Sequence, residues 1–107
     1  MLLRQIADAG RNPLALEEMP APEPGPDDVR VRVRVCGVCR TDLHIIEGDL
    51  PPAKRPVIPG HEVVGIVDRV GIGVRAIKEG DRVGIAWLRS TCGVCEFCLD
   101  RQENLCL

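Results

Sequence analysis

Four cysteines near the C-terminus constrain this chain more than any other feature of its sequence. Cys92, Cys95 and Cys98 follow one another at two-residue gaps, and Cys106 comes after seven further residues. A structural zinc ion is tetrahedral and takes four such soft ligands, and short gaps let a turning backbone direct consecutive sulfurs at one ion. Residues 88–107 have little apolar periodicity, so a metal would supply folding energy that a core does not. The spacing predicts a zinc lobe over about 88–107.

Two other uses of clustered cysteines fit this spacing less well. Disulfides belong mainly to secreted proteins, whereas clustered cysteines without a secretory signal favour metal thiolates. Iron–sulfur motifs of the bacterial ferredoxin type also begin C-x-x-C-x-x-C, but they continue with a short gap and a Cys-Pro pair. Here the gap is seven residues and Leu107 follows Cys106. Zinc is therefore the favoured metal.

Length and charge limit the class of protein. At 107 residues the chain has the length of one domain, 1–107, with a single core. The formal net charge of −2 gives no electrostatic reason for a nucleic-acid or anionic-membrane partner, so we expect neither. No apolar run approaches the ~20 residues of a membrane span, and the start lacks the basic-then-apolar pattern of a signal peptide. We therefore expect a cytoplasmic protein.

Short strands dominate the predicted secondary structure. Only Trp87 and Phe97 are aromatic, so Val, Ile and Leu must fill the core, which favours strands over a helix bundle. The segment Asp28–Cys36 alternates valine and arginine, which predicts a strand with its valines on one face and its arginines on the other. Val63–Val70 and Arg82–Trp87 read as further strands. The prediction is a mainly β domain, an open barrel or a sandwich, with one short helix.

The short helix is predicted just after the first C-x-x-C pair. Thr41 or Asp42 can cap it, Leu43–Glu47 can form its turns, and Gly48 suits the left-handed residue that follows a helix end.

A second polar cluster surrounds this helix. The six residues from Cys39 to His44 hold more titratable groups than most core segments tolerate, and Gly60-His61-Glu62 lies about twenty residues further on. Cys39 and His61 are suitable for two of the three protein ligands of a catalytic zinc, which keeps one open position. Two unrelated polar turns are the alternative, and spacing alone leaves both readings open.

Four motifs in a fixed order carry a resemblance to a known family. They are G-V-C-R-T-D-L-H, then G-H-E at 60–62 followed by V-V-G-I-V, then G-D-R-V at 80–83, and then C-x2-C-x2-C-x7-C. Together they resemble the zinc-dependent alcohol dehydrogenases of the medium-chain dehydrogenase/reductase family. The resemblance covers the N-terminal, GroES-like catalytic domain of that family's subunit, and it implies a GroES-like open β-barrel.

The resemblance also implies roles for single residues. Thr41 and His44 would form a proton relay, Arg40 would contact the cofactor pyrophosphate, and Asp42 would orient the imidazole of His61. The implied metal ligands are Cys39, His61 and, as an occasional or transient ligand, Glu62 for a catalytic zinc, and Cys92, Cys95, Cys98 and Cys106 for a structural zinc. Cys36 has no role in the pattern; we expect a small buried residue at a strand end, with a redox pair to Cys39 as the alternative.

The activity implied by the resemblance is oxidation of alcohols to aldehydes or ketones, with hydride transfer to NAD or NADP. The expected partners are a small alcohol or carbonyl substrate and, for the full-length enzyme, further copies of itself. The chain contains no G-x-G-x-x-G. We therefore expect the Rossmann domain and the third catalytic ligand beyond residue 107, and no activity from residues 1–107 alone. The alternative is a stand-alone, zinc-stabilised β-barrel that acts as an interaction module.

Overall fold

The computed structural model describes residues 1–52, 54–88 and 90–106, and it is mainly β, as predicted. A two-stranded ribbon and a three-stranded antiparallel sheet hold its strands. The elements in chain order are β1 (Leu2–Leu3), a 3₁₀ turn (Ala9–Arg11), β2 (Leu14–Ala15), β3 (Val29–Gly37), α1 (Arg40–Glu47), β4 (Glu62–Val70), β5 (Arg82–Ile85), α2 (Glu96–Leu99) and a 3₁₀ turn (Glu103–Leu105). One helix was predicted; α2, inside the cysteine lobe, is a second.

The three-stranded sheet has the order β3-β4-β5, so β4 is its central strand. Within the described ranges the sheet stays open, with β3 and β5 at its two sides. The end of β3 pairs with the beginning of β4, where Cys36 faces Val63 and Gly37 faces Glu62. This pairing brings the segment before β4, which carries His61, close to the segment after β3, which carries Cys39.

The predicted alternation along β3 is interrupted, because its pairing with β4 is irregular at two points. The register with β4 shifts between Arg30 and Val31 and again between Val33 and Val35. The extra residue is Asp68 of β4 at the first shift and Arg34 of β3 at the second, so only the second shift exchanges the faces of later β3 side chains. The valines do not share one covered face, since Val33 and Val35, on either side of the second shift, are 55% and 58% exposed.

The core is small and joins three elements. Its buried hydrophobic side chains, among the residues described, are Leu2, Leu3, Ile46 and Val67, which come from β1, α1 and β4. Leu3 also exchanges two backbone hydrogen bonds with Val57, of 2.8 and 3.1 Å, in the loop that leads to β4. The core thus ties the N-terminal ribbon to the helix and to the loop that precedes His61.

The N-cap of α1 lies two residues before Thr41, the earlier of the two predicted caps. Cys39 is the N-cap: its sulfur accepts a hydrogen bond from the Thr41 N–H, and the side chain of Asp42 accepts one from the Cys39 N–H. The prediction of Thr41 or Asp42 as the cap was wrong, because the thiol takes the role usually given to an oxygen. The prediction for Gly48 is confirmed, since its φ of 94° is left-handed.

No helix in the described part of the chain is both long enough and apolar enough to cross a membrane.

Candidate metal centres

The cysteine lobe gathers four sulfurs around one point. The Sγ atoms of Cys92, Cys95, Cys98 and Cys106 all lie within 4.8 Å of one another. Two of the separations are 3.5 Å, from Cys95 to Cys98, and 3.9 Å, from Cys92 to Cys98. Four sulfurs placed about 2.3 Å from one tetrahedral ion lie about 3.8 Å apart. The donor set and its spacing therefore fit a four-thiolate metal ion.

The local backbone supports negative charge on these sulfurs. The N–H groups of Val94 and Cys95 donate to Cys92 Sγ over 3.5 and 3.3 Å, and the Cys92 N–H donates to Cys106 Sγ over 3.4 Å. Sulfurs that accept backbone N–H groups in this way are stabilised as thiolates, the form in which cysteine binds a metal.

The thiol pKa values in the lobe diverge. The Val94 N–H, followed by the Cys95 N–H and neighbouring thiols, lowers the pKa of Cys92 to about 6. For Cys106, the Cys92 N–H is the largest single influence and lowers the pKa, but the Cys92 thiol, burial and the other two thiols outweigh it and raise the pKa to about 11. Without a metal, the Cys92 sulfur thus carries negative charge more readily than the Cys106 sulfur, as expected where four thiols lie close together.

The second centre joins the two polar segments that the sequence singled out. Cys39 Sγ lies 3.2 Å from His61 Nε2, although the two residues are 22 positions apart. A sulfur and an imidazole nitrogen that bind one tetrahedral zinc are separated by about 3.5 Å. Both side chains are only partly exposed. The pair therefore fits two adjacent ligands of one ion.

Asp42 lies on the opposite side of the imidazole ring. Its Oδ1 is 3.2 Å from His61 Nδ1, and its Oδ2 accepts the Cys39 N–H at 2.9 Å. Because a carboxylate oxygen accepts, the tautomer with the hydrogen on Nδ1 suits this contact and leaves the Nε2 lone pair facing Cys39. Asp42 is 5% exposed, and its oxygens are occupied by these two groups. It is therefore an outer partner of the ligands, although its oxygen lies within 4.8 Å of both ligand atoms.

The other residues singled out from the sequence lie around this pair. Arg40 and Thr41 form the first turn of α1, with Arg40 exposed and Thr41 partly covered. His44 is three residues beyond Thr41, so the two are neighbours on the helix surface. His44 Nδ1 is 2.8 Å from Asp49 Oδ2, and the His44 side chain is 35% exposed, which gives this edge of the site access to solvent.

Glu62 is not brought into the group formed by Cys39, Asp42 and His61. Its carboxylate lies instead beside Gly37, in the space that a side chain at position 37 would occupy.

Two further residues lie near this centre. No role was predicted for Trp87, and the prediction for Cys36 is only partly right. Trp87 lies edge-on to His61, with ring centroids 5.2 Å apart and an interplanar angle of 85°. The only sign of it in the sequence is that this is the single tryptophan.

Cys36 is at a strand end, as predicted, but it is exposed rather than buried.

Known proteins match nearly the whole chain. The family model for the alcohol dehydrogenase GroES-like domain matches residues 25–107. A probable alcohol dehydrogenase of Mycobacterium tuberculosis is 56% identical over 109 residues, which cover 97% of this chain and 32% of that protein.

Two solved structures share the fold. A cobalt- and zinc-bound thermostable alcohol dehydrogenase from Pyrobaculum aerophilum is 32% identical, with a TM-score of 0.88 over 98% of this chain and 31% of that one. A structure of CAD from Helicobacter pylori complexed with NADP(H) is 38% identical, with a TM-score of 0.68 over 77% of this chain and 24% of that one. This chain spans 28% to 32% of the length of the first curated relatives that it matches.

Proposed function

We propose that this chain is the N-terminal catalytic-domain part of a zinc-dependent alcohol dehydrogenase, because it belongs to the alcohol dehydrogenase GroES-like domain family. The enzyme oxidises alcohols to aldehydes or ketones and transfers hydride to NAD or NADP. The observation that carries the proposal is the approach of Cys39 Sγ to His61 Nε2 at 3.2 Å, with Asp42 behind the imidazole.

Cys39 and His61 hold the catalytic zinc in this proposal, with Glu62 as a transient ligand. A zinc ion held there would supply Lewis acidity, which would lower the pKa of an alcohol substrate. The third ligand comes from another part of a longer polypeptide. Asp42 fixes the ring of His61 and, through the Cys39 N–H, the beginning of α1, so both ligands keep their positions before a metal arrives.

Thr41 and His44 move the proton. The Thr41 hydroxyl accepts it from the alcohol, and His44, one turn further along α1, passes it towards solvent. The partial exposure of His44 and its contact with Asp49 support this direction of transfer. Arg40, exposed at the beginning of α1, contacts the pyrophosphate of the nicotinamide cofactor, for which a guanidinium is well suited.

Cys92, Cys95, Cys98 and Cys106 hold a structural zinc in the lobe at about 88–107. Residues 1–107 form one catalytic-domain part, and a Rossmann domain elsewhere in the polypeptide binds the dinucleotide. The enzyme takes small alcohols or carbonyl compounds, not nucleic acid or membranes, and assembles with copies of itself. We also propose the cytoplasm as its compartment, because reducing conditions there keep metal-binding thiols from forming disulfides.

Thr41 gives the sharpest test of the proposal. In the polypeptide at its full natural length and loaded with zinc, we expect alcohol-dependent reduction of NAD or NADP, followed by the absorbance of the reduced nicotinamide. Replacing Thr41→Ala should lower kcat about 10²- to 10⁴-fold, because the alcohol loses its proton acceptor. The exposed Ser90→Ala variant removes a hydroxyl outside the site and should leave kcat unchanged.

Three results would count against the proposal. Full turnover by the Thr41→Ala variant would exclude the relay. Turnover by residues 1–107 alone would contradict the need for a second domain. No alcohol-dependent reduction at the full natural length would favour the zinc-stabilised interaction module instead.

A further inference from the structure

Cys36 is the one cysteine that neither metal centre uses. The other five of the six cysteines belong to the two groups whose ligand atoms lie within 4.8 Å of one another. We propose that Cys36 is a positioning residue for the centre at Cys39 and His61: its sulfur supports Gly60 and thereby sets the backbone from which His61 extends. The inference rests on the proposed catalytic metal centre.

The contact between Cys36 and Gly60 is close and specific. A Cβ built on Gly60 would lie 2.8 Å from Cys36 Sγ, and apart from the chain neighbours Pro59 and His61 no other described residue comes within 4 Å of that point. The φ of Gly60 is 131°, a conformation that L side chains rarely adopt. The sulfur thus occupies the space beside a backbone that has no side chain of its own to fix it.

The sheet register makes this contact part of the metal centre. Cys36 faces Val63 across β3 and β4, so the end of one strand is fixed to the beginning of the other. Cys39 follows Cys36 by three residues, and His61 follows Gly60 by one. A displacement at the sulfur–glycine contact therefore changes the separation of the two ligand atoms, which is 3.2 Å.

Other roles for Cys36 fit the structure less well. Its sulfur is outside the group formed by Cys39, Asp42 and His61, so it is not a third ligand. Its one hydrogen bond given by the structure is a long contact of 3.4 Å from Sγ to the Gly37 carbonyl oxygen. Cys36 and Cys39 are both free thiols, which gives no support to the redox pair. What remains is packing against Gly60.

Enlarging the side chain at position 36 tests the proposal. Cys36→Leu extends methyl groups beyond the sulfur position into Gly60, Cys36→Ala removes the contact, and Cys36→Ser keeps a slightly smaller atom near the sulfur position. Val38→Leu is the matched control, because it adds bulk in the same segment at a side chain that is 85% exposed. Retention of one zinc in the lobe shows that each variant has folded.

Trp87 provides two readouts, because it is the single tryptophan and its ring lies 5.2 Å from that of His61. In the chain of 107 residues with zinc in the lobe alone, a nuclear Overhauser effect between the two rings reports the position of His61 directly. In the chain whose lobe is filled with zinc, quenching of Trp87 fluorescence by added cobalt(II) gives the affinity of the centre at Cys39 and His61.

We expect Cys36→Leu to lose the ring-to-ring effect and to bind cobalt(II) about 10- to 100-fold more weakly, as residues that orient metal ligands do. Cys36→Ala should fall between this variant and the wild type, while Cys36→Ser and Val38→Leu should match the wild type. Equal cobalt(II) affinity in all variants, with the ring-to-ring effect retained, would overturn the positioning role alone. Absence of quenching from the wild type would overturn the metal centre, and with it the proposed function.

Discussion

At the scale of single residues, the carboxylate of Asp42 joins two ligands that come from distant parts of the chain. One oxygen accepts the Cys39 N–H at 2.9 Å and the other faces His61 Nδ1 at 3.2 Å. The side chain is 5% exposed, so neither contact competes strongly with water. A carboxylate can accept at both oxygens, whereas an amide has only one acceptor.

Asp42→Asn should therefore weaken the centre without changing its shape. The amide can satisfy either the Cys39 N–H or the His61 Nδ1–H, but not both, so we expect cobalt(II) to bind about 10- to 100-fold more weakly. Quenching of Trp87 fluorescence measures the change. Asp49→Asn is the control, because Asp49 contacts His44 and not the ligands, and it should leave the affinity unaltered. An equal affinity for Asp42→Asn and the wild type would contradict this role.

The residue types at this site were predictable, but their local contacts were not. The motifs led to Cys39, His61 and Asp42, which the structure brings together. The cap of α1 was assigned to an oxygen-bearing side chain because oxygen is the usual acceptor at that position. Cys39 both caps α1 and contacts His61. The second contact becomes visible only when β4 places His61 beside the helix. The exposure of Cys36 depends likewise on neighbours that its own sequence segment does not contain.

At the scale of secondary-structure elements, the sequence predicts that β3 is a strand but not how it pairs with β4. The alternation of valine and arginine correctly indicated a strand, and β3 runs from Val29 to Gly37. Nothing in that repeating pattern marks Arg34 as the position of a bulge, because each valine–arginine pair resembles the next. The register is decided by pairing with β4, which is remote in sequence.

The end of α1 gives a prediction at this scale. Gly48 has a φ of 94°, and a Cβ added there would lie 2.7 Å from Ile6 Cγ2. We expect Gly48→Ala to lower the free energy of unfolding by about 1–2 kcal/mol, the usual cost of a left-handed L residue. Denaturant unfolding measures this.

Gly84→Ala is the matched control for that substitution. Its nearest neighbour would be the Val63 carbonyl oxygen at 3.8 Å, so there is room for the methyl group. Stability should stay the same or rise slightly, because alanine restricts the unfolded chain. Equal losses for both variants would show that the left-handed backbone at Gly48 is not the cause.

At the scale of the whole molecule, the chain is flat and thinly covered. Its radius of gyration is 15.7 Å and its extents are 43 × 33 × 20 Å, whereas a compact domain of this length has a radius of about 13 Å. Large apolar side chains such as Val33, Val35 and Trp87 are more than half exposed. The family was still predictable from the sequence, because the order of the motifs depends on the sites and not on how well the core is covered.

A structure with so small a core should depend on its metal. We expect residues 1–107 to retain one zinc ion after dialysis against a mild chelator, because the lobe offers four thiolates and the other centre only two or three ligands. Free zinc at a thousandfold excess over the dissociation constant should raise the free energy of unfolding by about 4 kcal/mol. Elemental analysis and denaturant unfolding check both numbers.

Cys106→Ser is the control for the zinc measurement, since it removes one thiolate from the lobe and should abolish most of the stabilisation. Two zinc ions per chain that resist the same dialysis would contradict the expectation of a single tight site.

The sulfur of Cys39 belongs to a helix end and to a metal centre at the same time, through the Thr41 N–H and His61 Nε2. The two equilibria are therefore linked, and the linkage is reciprocal. Whatever strengthens the first turn of α1 also raises the affinity of the centre for its ion, and an ion that leaves makes the first turn open more often. The rate of hydrogen exchange at the Thr41 amide should therefore report whether the metal centre holds its ion, and this measurement needs no added probe.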